Sequence, residues 1–157
     1  MNQKLIMGIV LSILFLALSY RNFKVRSECI HRARLTKLRG LLLIIAFLVF
    51  LGIAHLYGKH WLDYFVALAG GILLLSSQVG QGLHPKGIYY VLGKGLWLRL
   101  VSWNHIQNLD IDYQNNHLIA LTDESRSMRI YPDQYYTDLA IKEIEDRVKV
   151  AKKRAFD

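Results

Sequence analysis

The sequence predicts an α+β membrane protein: three apolar helices, then an antiparallel β-meander of about five strands closed by one amphipathic helix. Three observations predict it. Residues 40–57 and 61–80 are two nearly unbroken apolar runs, separated by Gly58, Lys59 and His60. A third apolar run, residues 5–20, precedes them. Beyond residue 82 the chain turns to apolar and polar residues alternating with period two, the spacing of a half-buried strand. The chain therefore divides into a membrane region, residues 1–81, and a small soluble domain, residues 82–157.

The 20 Lys and Arg exceed the 12 Asp and Glu, for a formal charge of +8. A surplus of that size suits nucleic acid or anionic lipid. Here the bases flank apolar runs, which points to lipid headgroups and to orientation of the spans. Cys29 is the single cysteine, so the chain has no intrachain disulfide and no multi-thiolate metal site.

Taken in order, residues 5–20 run for roughly 24 Å as a helix, with Lys4 before them and Arg21 after. Two readings stay open. A positive start, an apolar run and Ala17-Leu18-Ser19 describe a signal peptide with a small-residue cleavage site. A retained span is favoured, because cleavage would leave the basic segment that follows on the outer side. That segment, residues 21–39, holds Arg21, Lys24, Arg26, Arg32, Arg34, Lys37 and Arg39 against one acid, Glu28. Short loops rich in Lys and Arg stay in the cytoplasm. The expected topology has the N-terminus outside, turn 58–60 outside and everything after residue 80 inside. Of the 20 basic residues, Lys4 and Lys59 then lie outside, leaving 18 inside. Phe23, Val25, Ile30, Ala33 and Leu38 are interspersed, so part of this loop reads as an amphipathic helix on the bilayer surface.

Residues 40–57 and 61–80 make a transmembrane hairpin, each arm about 27–30 Å at 1.5 Å per residue, against a hydrocarbon core of about 30 Å. Tyr57, Trp61 and Tyr64 gather near the turn, as an interfacial aromatic belt requires. Gly52, Ala67, Gly70 and Gly71 are small enough for close helix packing. His55, Asp63 and Gln78 are the polar exceptions, all near helix ends. The midplane carries no buried charge pair on which a channel or transporter would depend.

Residues 80–87 contain three Gly and a Pro and read as a linker. The expected strands are 87–92, 96–103, 107–113, 117–122 and 127–131, with a hairpin turn at Gly93-Lys94-Gly95. In the second, Leu96, Leu98 and Leu100 share one face, and Trp97, Arg99, Val101 and Trp103 the other. In the third, Leu109, Ile111 and Tyr113 oppose Asp110 and Asp112. Pro132 and Asp133 stop the sheet. Thr137, Asp138 or Asp133 then caps a helix to about residue 153, with an apolar stripe of Ile141, Ile144, Val148, Ala151 and Ala155. Acids early and bases late suit its dipole.

Lys86-Gly87-Ile88 at the first strand, the step Trp103-x-x-Ile106 introducing a later strand, and the closing helix resemble bacterial pleckstrin-homology-like (PH-like) domains of small membrane proteins. The resemblance spans residues 84–155. It implies a seven-stranded domain and a binding or scaffolding role beside the membrane, not catalysis.

The residues themselves carry no catalytic pattern. His84, His105 and His117 lack the spacing of paired metal ligands and read as solvent-facing or edge histidines. Asp110 and Asp112 read as exposed acids on a wet strand face. Ser102, Ser125 and Ser127 lack a nucleophile-elbow context, and Gly93-Lys94-Gly95 is too short for a phosphate loop. A nucleic-acid platform needs basic neighbours around its aromatics, and that strand has only Arg99. The expectation is a non-catalytic accessory or scaffold protein of the bacterial cytoplasmic membrane, with no cofactor, whose partner face is Trp97, Arg99 and Trp103. The alternative is an anionic-lipid module using Arg21, Lys24, Arg26, Arg32, Arg34, Lys37 and Arg39.

Overall fold

In the computed structural model, which describes residues 3–58, 60–91 and 97–156 (side chains to residue 153), three helices are long and apolar enough to cross a membrane. They are α1 (Gln3–Glu28), α2 (Lys37–Tyr57) and α3 (Trp61–Val79). The expected hairpin is α2 and α3, while α1 runs eight residues beyond the expected end at residue 20. No Gly or Pro falls between Gly8 and Gly40, and Arg and Lys are good helix formers. Two polar side chains hold the extension to α3. Asn22 Nδ2 donates to Ser76 Oγ at 3.2 Å, and Arg26 donates to the Val79 carbonyl. Segment 21–39 is therefore neither a long loop nor a surface helix. Only residues 29–36 connect α1 to α2, and Thr36 caps α2, its Oγ1 accepting from Arg39 N at 3.3 Å.

α3 lies between α1 and α2 and packs on both. A Cβ placed on Gly71 would stand 2.2 Å from the Phe47 ring, and one on Gly70 3.5 Å from Phe15. Gly8 of α1 similarly receives Leu62. Gly52, expected at such a contact, has nothing within 4 Å of its Cβ position. At the α2–α3 turn, His60 N donates to Asp63 Oδ2 at 3.1 Å. Lys59 lies outside the described residues.

Eight short strands are described, against the five expected, all paired antiparallel. The first sheet has the order β1 (His31–Arg32), β2 (Gly82–His84), β3 (Gly87–Val91), β4 (Leu98–Ser102). The second has β5 (Ile106–Asp112), β6 (His117–Asp123) and β7 (Met128–Ile130), with β8 (Gln134–Tyr135) also on β6. Two corrections follow. The expected linker is β2, because Pro85 and Lys86 form a tight turn that pairs His84 with Gly87. The Pro132–Asp133 stop is a corner: Asp133 takes φ 52° and the chain rejoins β6 as β8. The turn expected at Gly93-Lys94-Gly95, with Leu92 and Leu96, lies outside the described residues. Gly87 answers to crowding, since a Cβ there would fall 1.9 Å from the Val101 carbonyl oxygen.

α4 (Asp138–Phe156) closes the head. Thr137 Oγ1 accepts from Ala140 N at 3.3 Å, so Thr137 is the cap among the three expected. Ile141, Ile144, Val148 and Ala151 are buried with Leu83, Ile88, Tyr90, Val101, Leu118, Leu121 and Ile130 in one core between the sheets and the helix. In β5, register shifts break the alternation. Tyr113 leaves the apolar face and donates to Glu145 on α4.

The packing of α2 on α3 is testable by a matched pair. Gly71→Ala should destabilise the full chain by about 1–3 kcal/mol, the usual cost of overpacking, in thermal unfolding in detergent. Gly52→Ala should be neutral or stabilising by up to about 1 kcal/mol. Equal stability of the two variants would contradict the Phe47–Gly71 contact.

Candidate functional site

Residues 29–36 are sewn into both sheets. Ile30 N donates to Leu83 O at 2.8 Å, and Ala33 N to Gln81 O at 3.2 Å. Between them β1 pairs His31 with Leu83 and Arg32 with Gly82. Arg34 N then donates to Tyr135 O at 2.7 Å, a bridge onto β8 of the second sheet. The two sheets are joined at this corner, and by the 3₁₀ turn Trp103–His105 at the other. Alternation alone does not reveal β1, which is two residues long inside a basic stretch.

Side chains reinforce the seam. His31 Nε2 lies 2.7 Å from Glu143 Oε2 on α4, and Arg147 NH2 lies 2.7 Å from Glu143 Oε1. The Arg147 guanidinium sits 5.7 Å over the Trp103 ring, within range of a cation–π contact. On the other flank Asp133 accepts from Arg39 and pairs with His117 Nε2 at 2.6 Å. His117 in turn stacks on Tyr135 with centroids 4.1 Å apart. Between the flanks, buried Gln134 donates to Gln81 Oε1 at 2.9 Å and Tyr89 O at 2.8 Å, and accepts from Tyr136. None of these long-range partners is signalled by sequence spacing.

The structure separates the residues expected to form the partner face. Trp97 and Arg99 are exposed. Trp103 is buried at 7% exposure, its Nε1 donating to His84 O and Pro85 O at 3.2 and 3.0 Å. Strand periodicity ends at Ser102, and the following 3₁₀ turn rotates the indole into the core. The seven bases also divide. Arg26 and Arg39 bond to Val79 O and Asp133, while Arg21, Lys24, Arg32, Arg34 and Lys37 are exposed.

The histidines need a correction as well. His105 is exposed, but His84 is buried, Nδ1 accepting from Lys86 N at 3.1 Å and Nε2 lying 3.6 Å from Glu28. His117 is half-buried in the seam. Asp110 pairs with Arg129 at 2.8 Å, and Asp112 accepts from Gln114 N, Asn115 N and Asn115 Nδ2 at the next turn. Among the described residues no group of three His, Cys, Asp or Glu is placed to hold a metal.

Burial raises the pKa of the Cys29 thiol above its usual range, against the pull of Arg26 and Arg32. Burial also raises Tyr136 well above an ordinary phenol. At Glu143 burial acts upward too, but hydrogen bonds and charge from Arg147 and His31 outweigh it and hold the carboxyl below its usual value.

Among the described residues, three concavities reach about 410 Å³ or more. A groove of about 680 Å³ runs beside α4, lined by Lys86, Trp103, Asn104, Asp146, Arg147 and Val150. A cleft of about 410 Å³ lies where α2 and α3 meet the head. An apolar cavity of about 560 Å³ opens at the far end of the helices, beside Lys4, Tyr57 and Gly58. Comparison with protein-family models, curated proteins and solved structures returns no match for this chain.

Glu143→Gln tests the seam through its pH dependence. A carboxyl held below its unfolded pKa stabilises the fold above that pKa and loses the contribution as pH falls through the folded value. The variant should lose about 1–2 kcal/mol at neutral pH in thermal unfolding of the full chain. Its gap to wild type should close in acid. A gap that persists unchanged in acid would assign the loss to packing.

Proposed function

We propose that the chain is a non-catalytic accessory or scaffold protein of the bacterial cytoplasmic membrane, with three spans and a cytoplasmic PH-like head that binds a protein partner. One observation carries the placement. The basic segment between α1 and α2, the strongest orienting signal in the sequence, is hydrogen-bonded into the head through Ile30, Ala33 and Arg34. Whichever side holds those bases holds the head. Lys4 and Gly58 line one cavity at the far end of the helices, which supports placing the N-terminal end of α1 and the α2–α3 turn together on the opposite side.

The PH-like reading draws support from the strand arrangement. Four strands form one sheet and three consecutive strands run along the second, followed by a closing helix. The Trp103-x-x-Ile106 step stands at the turn between the sheets. Two of the four strands in the first sheet, β1 and β2, come from stretches that read as loop and linker, and β8 also pairs with β6 in the second.

The partner surfaces we favour are the groove beside α4 and, separately, exposed Trp97 and Arg99 at the other end of β4. Aromatics and Arg are enriched at interfaces. Strand addition is less suited, because β5 carries register shifts and β7 has three residues, features that blunt a sheet edge. A second reading, contact with anionic lipid, rests on the exposed Arg21, Lys24, Arg32, Arg34 and Lys37 beside the helix ends.

Crosslinking of the full chain in native membranes should recover a distinct protein neighbour. Trp97→Ala should reduce that recovery while leaving thermal stability within about 0.5 kcal/mol of wild type. Recovery of the chain alone would count against the scaffold, and labelling of a C-terminal tag from outside intact cells would overturn the orientation.

A further inference from the structure

The cleft where α2 and α3 meet the head has two chemically distinct halves. Leu42, Leu43 and Ala46 of α2, Leu74 of α3 and Val91 line one; Arg39, Gln78, Gln81, Tyr131 and the Asp133 carboxylate stand in the other. Hydrogen-bond donors are left over on the polar side. Arg39 has five N–H groups and gives one terminal nitrogen to Asp133. Gln78 uses its Oε1 to accept from Gln81 at 3.3 Å, and its own Nε2 has no hydrogen-bond partner among the described residues. Asp133 is also held by His117 at 2.6 Å, so it keeps a partner if Arg39 shares its guanidinium with an incoming anion.

Water satisfies the polar half but gains nothing from the apolar one. An amphiphile satisfies both. We propose that this cleft binds one phospholipid molecule, its phosphodiester on Arg39 and the Gln78 amide, and one acyl chain along Leu42, Leu43, Ala46 and Leu74. A guanidinium and a phosphate make charge-assisted, bidentate bonds, while an acyl chain replaces water on the leucines. The inference rests on the membrane reading proposed above and goes beyond it: one specific lipid is seated under the head, separate from the general attraction of the exposed bases.

The test uses the full chain, purified in mild detergent, stripped of lipid and reloaded with phosphatidylglycerol or with diacylglycerol, which lacks the phosphate. Native mass spectrometry should find one phosphatidylglycerol per chain and no retained diacylglycerol. Ala46→Phe, which fills the apolar half, and Gln78→Glu, which keeps an acceptor for Gln81 but replaces the amide donor with a carboxylate, should each weaken retention about tenfold, equivalent to roughly 1.4 kcal/mol. Their melting temperatures should match unloaded wild type; if Ala46→Phe unfolds, Gln78→Glu decides alone. Undiminished retention by a folded variant, or equal retention of diacylglycerol, overturns the site. Alkaline carbonate extraction separates the two levels of the argument. A chain released from membranes refutes the membrane reading itself, whereas one that stays embedded and carries no lipid refutes only the cleft.

Discussion

Eight residues, 29–36, constrain the rest of the structure. They end one helix, start the next, and supply hydrogen bonds to strands on both sheets. A buried backbone carbonyl without a partner costs as much as a lost hydrogen bond. Leu83, Gln81 and Tyr135 would each lose one without this segment. The head is therefore incomplete as residues 82–157: its edge strand arrives from between the first two helices. The boundary drawn at residue 81 marks a change of composition, while the fold crosses it.

The seam is polar and satisfied. Asn22 and Ser76 bond between α1 and α3, Gln81 (just before β2) bonds to Gln134 of β8, and His31, Glu143 and Arg147 bond between β1 and α4. Apolar contact alone would let the head slide or rotate on the helix ends. Buried polar pairs accept only the arrangement in which each donor meets its acceptor. This specificity fixes how the groove beside α4 and the cleft beneath the head stand relative to α2 and α3. The cleft lies against α2 and α3, and the groove lies beside α4.

The same seam explains which expected site residues dispersed. Trp103 was grouped with Trp97 because both fell on odd positions of one apparent strand. The strand stops a residue short, and the indole finds two carbonyls at the β2–β3 turn. Its large apolar ring belongs in the core once its single N–H is satisfied. Arg39, expected in a row of exposed bases, is instead tied to Asp133, a residue that sequence treats as a turn former or helix cap, and lines the cleft beneath the head. The basic segment lost two of its bases to internal bonds and kept the others at its surface.

By itself the sequence determined the three apolar helices, the switch to antiparallel strands, and the amphipathic helix, whose cap among Thr137, Asp138 and Asp133 the structure then selected. Each follows from a local rule: apolar length, period two, or period 3.6 with a capping hydroxyl. Tertiary structure alone decided β1, β2 and β8, the burial of His84 and Trp103, and the corner that joins the sheets. Several of those features depend on distant partners, such as Ile30 with Leu83 or His31 with Glu143, the latter 112 positions apart. A two- or three-residue strand has too few positions for a period to show. Its hydrogen bonds become favourable only after the chain has brought the other strand alongside.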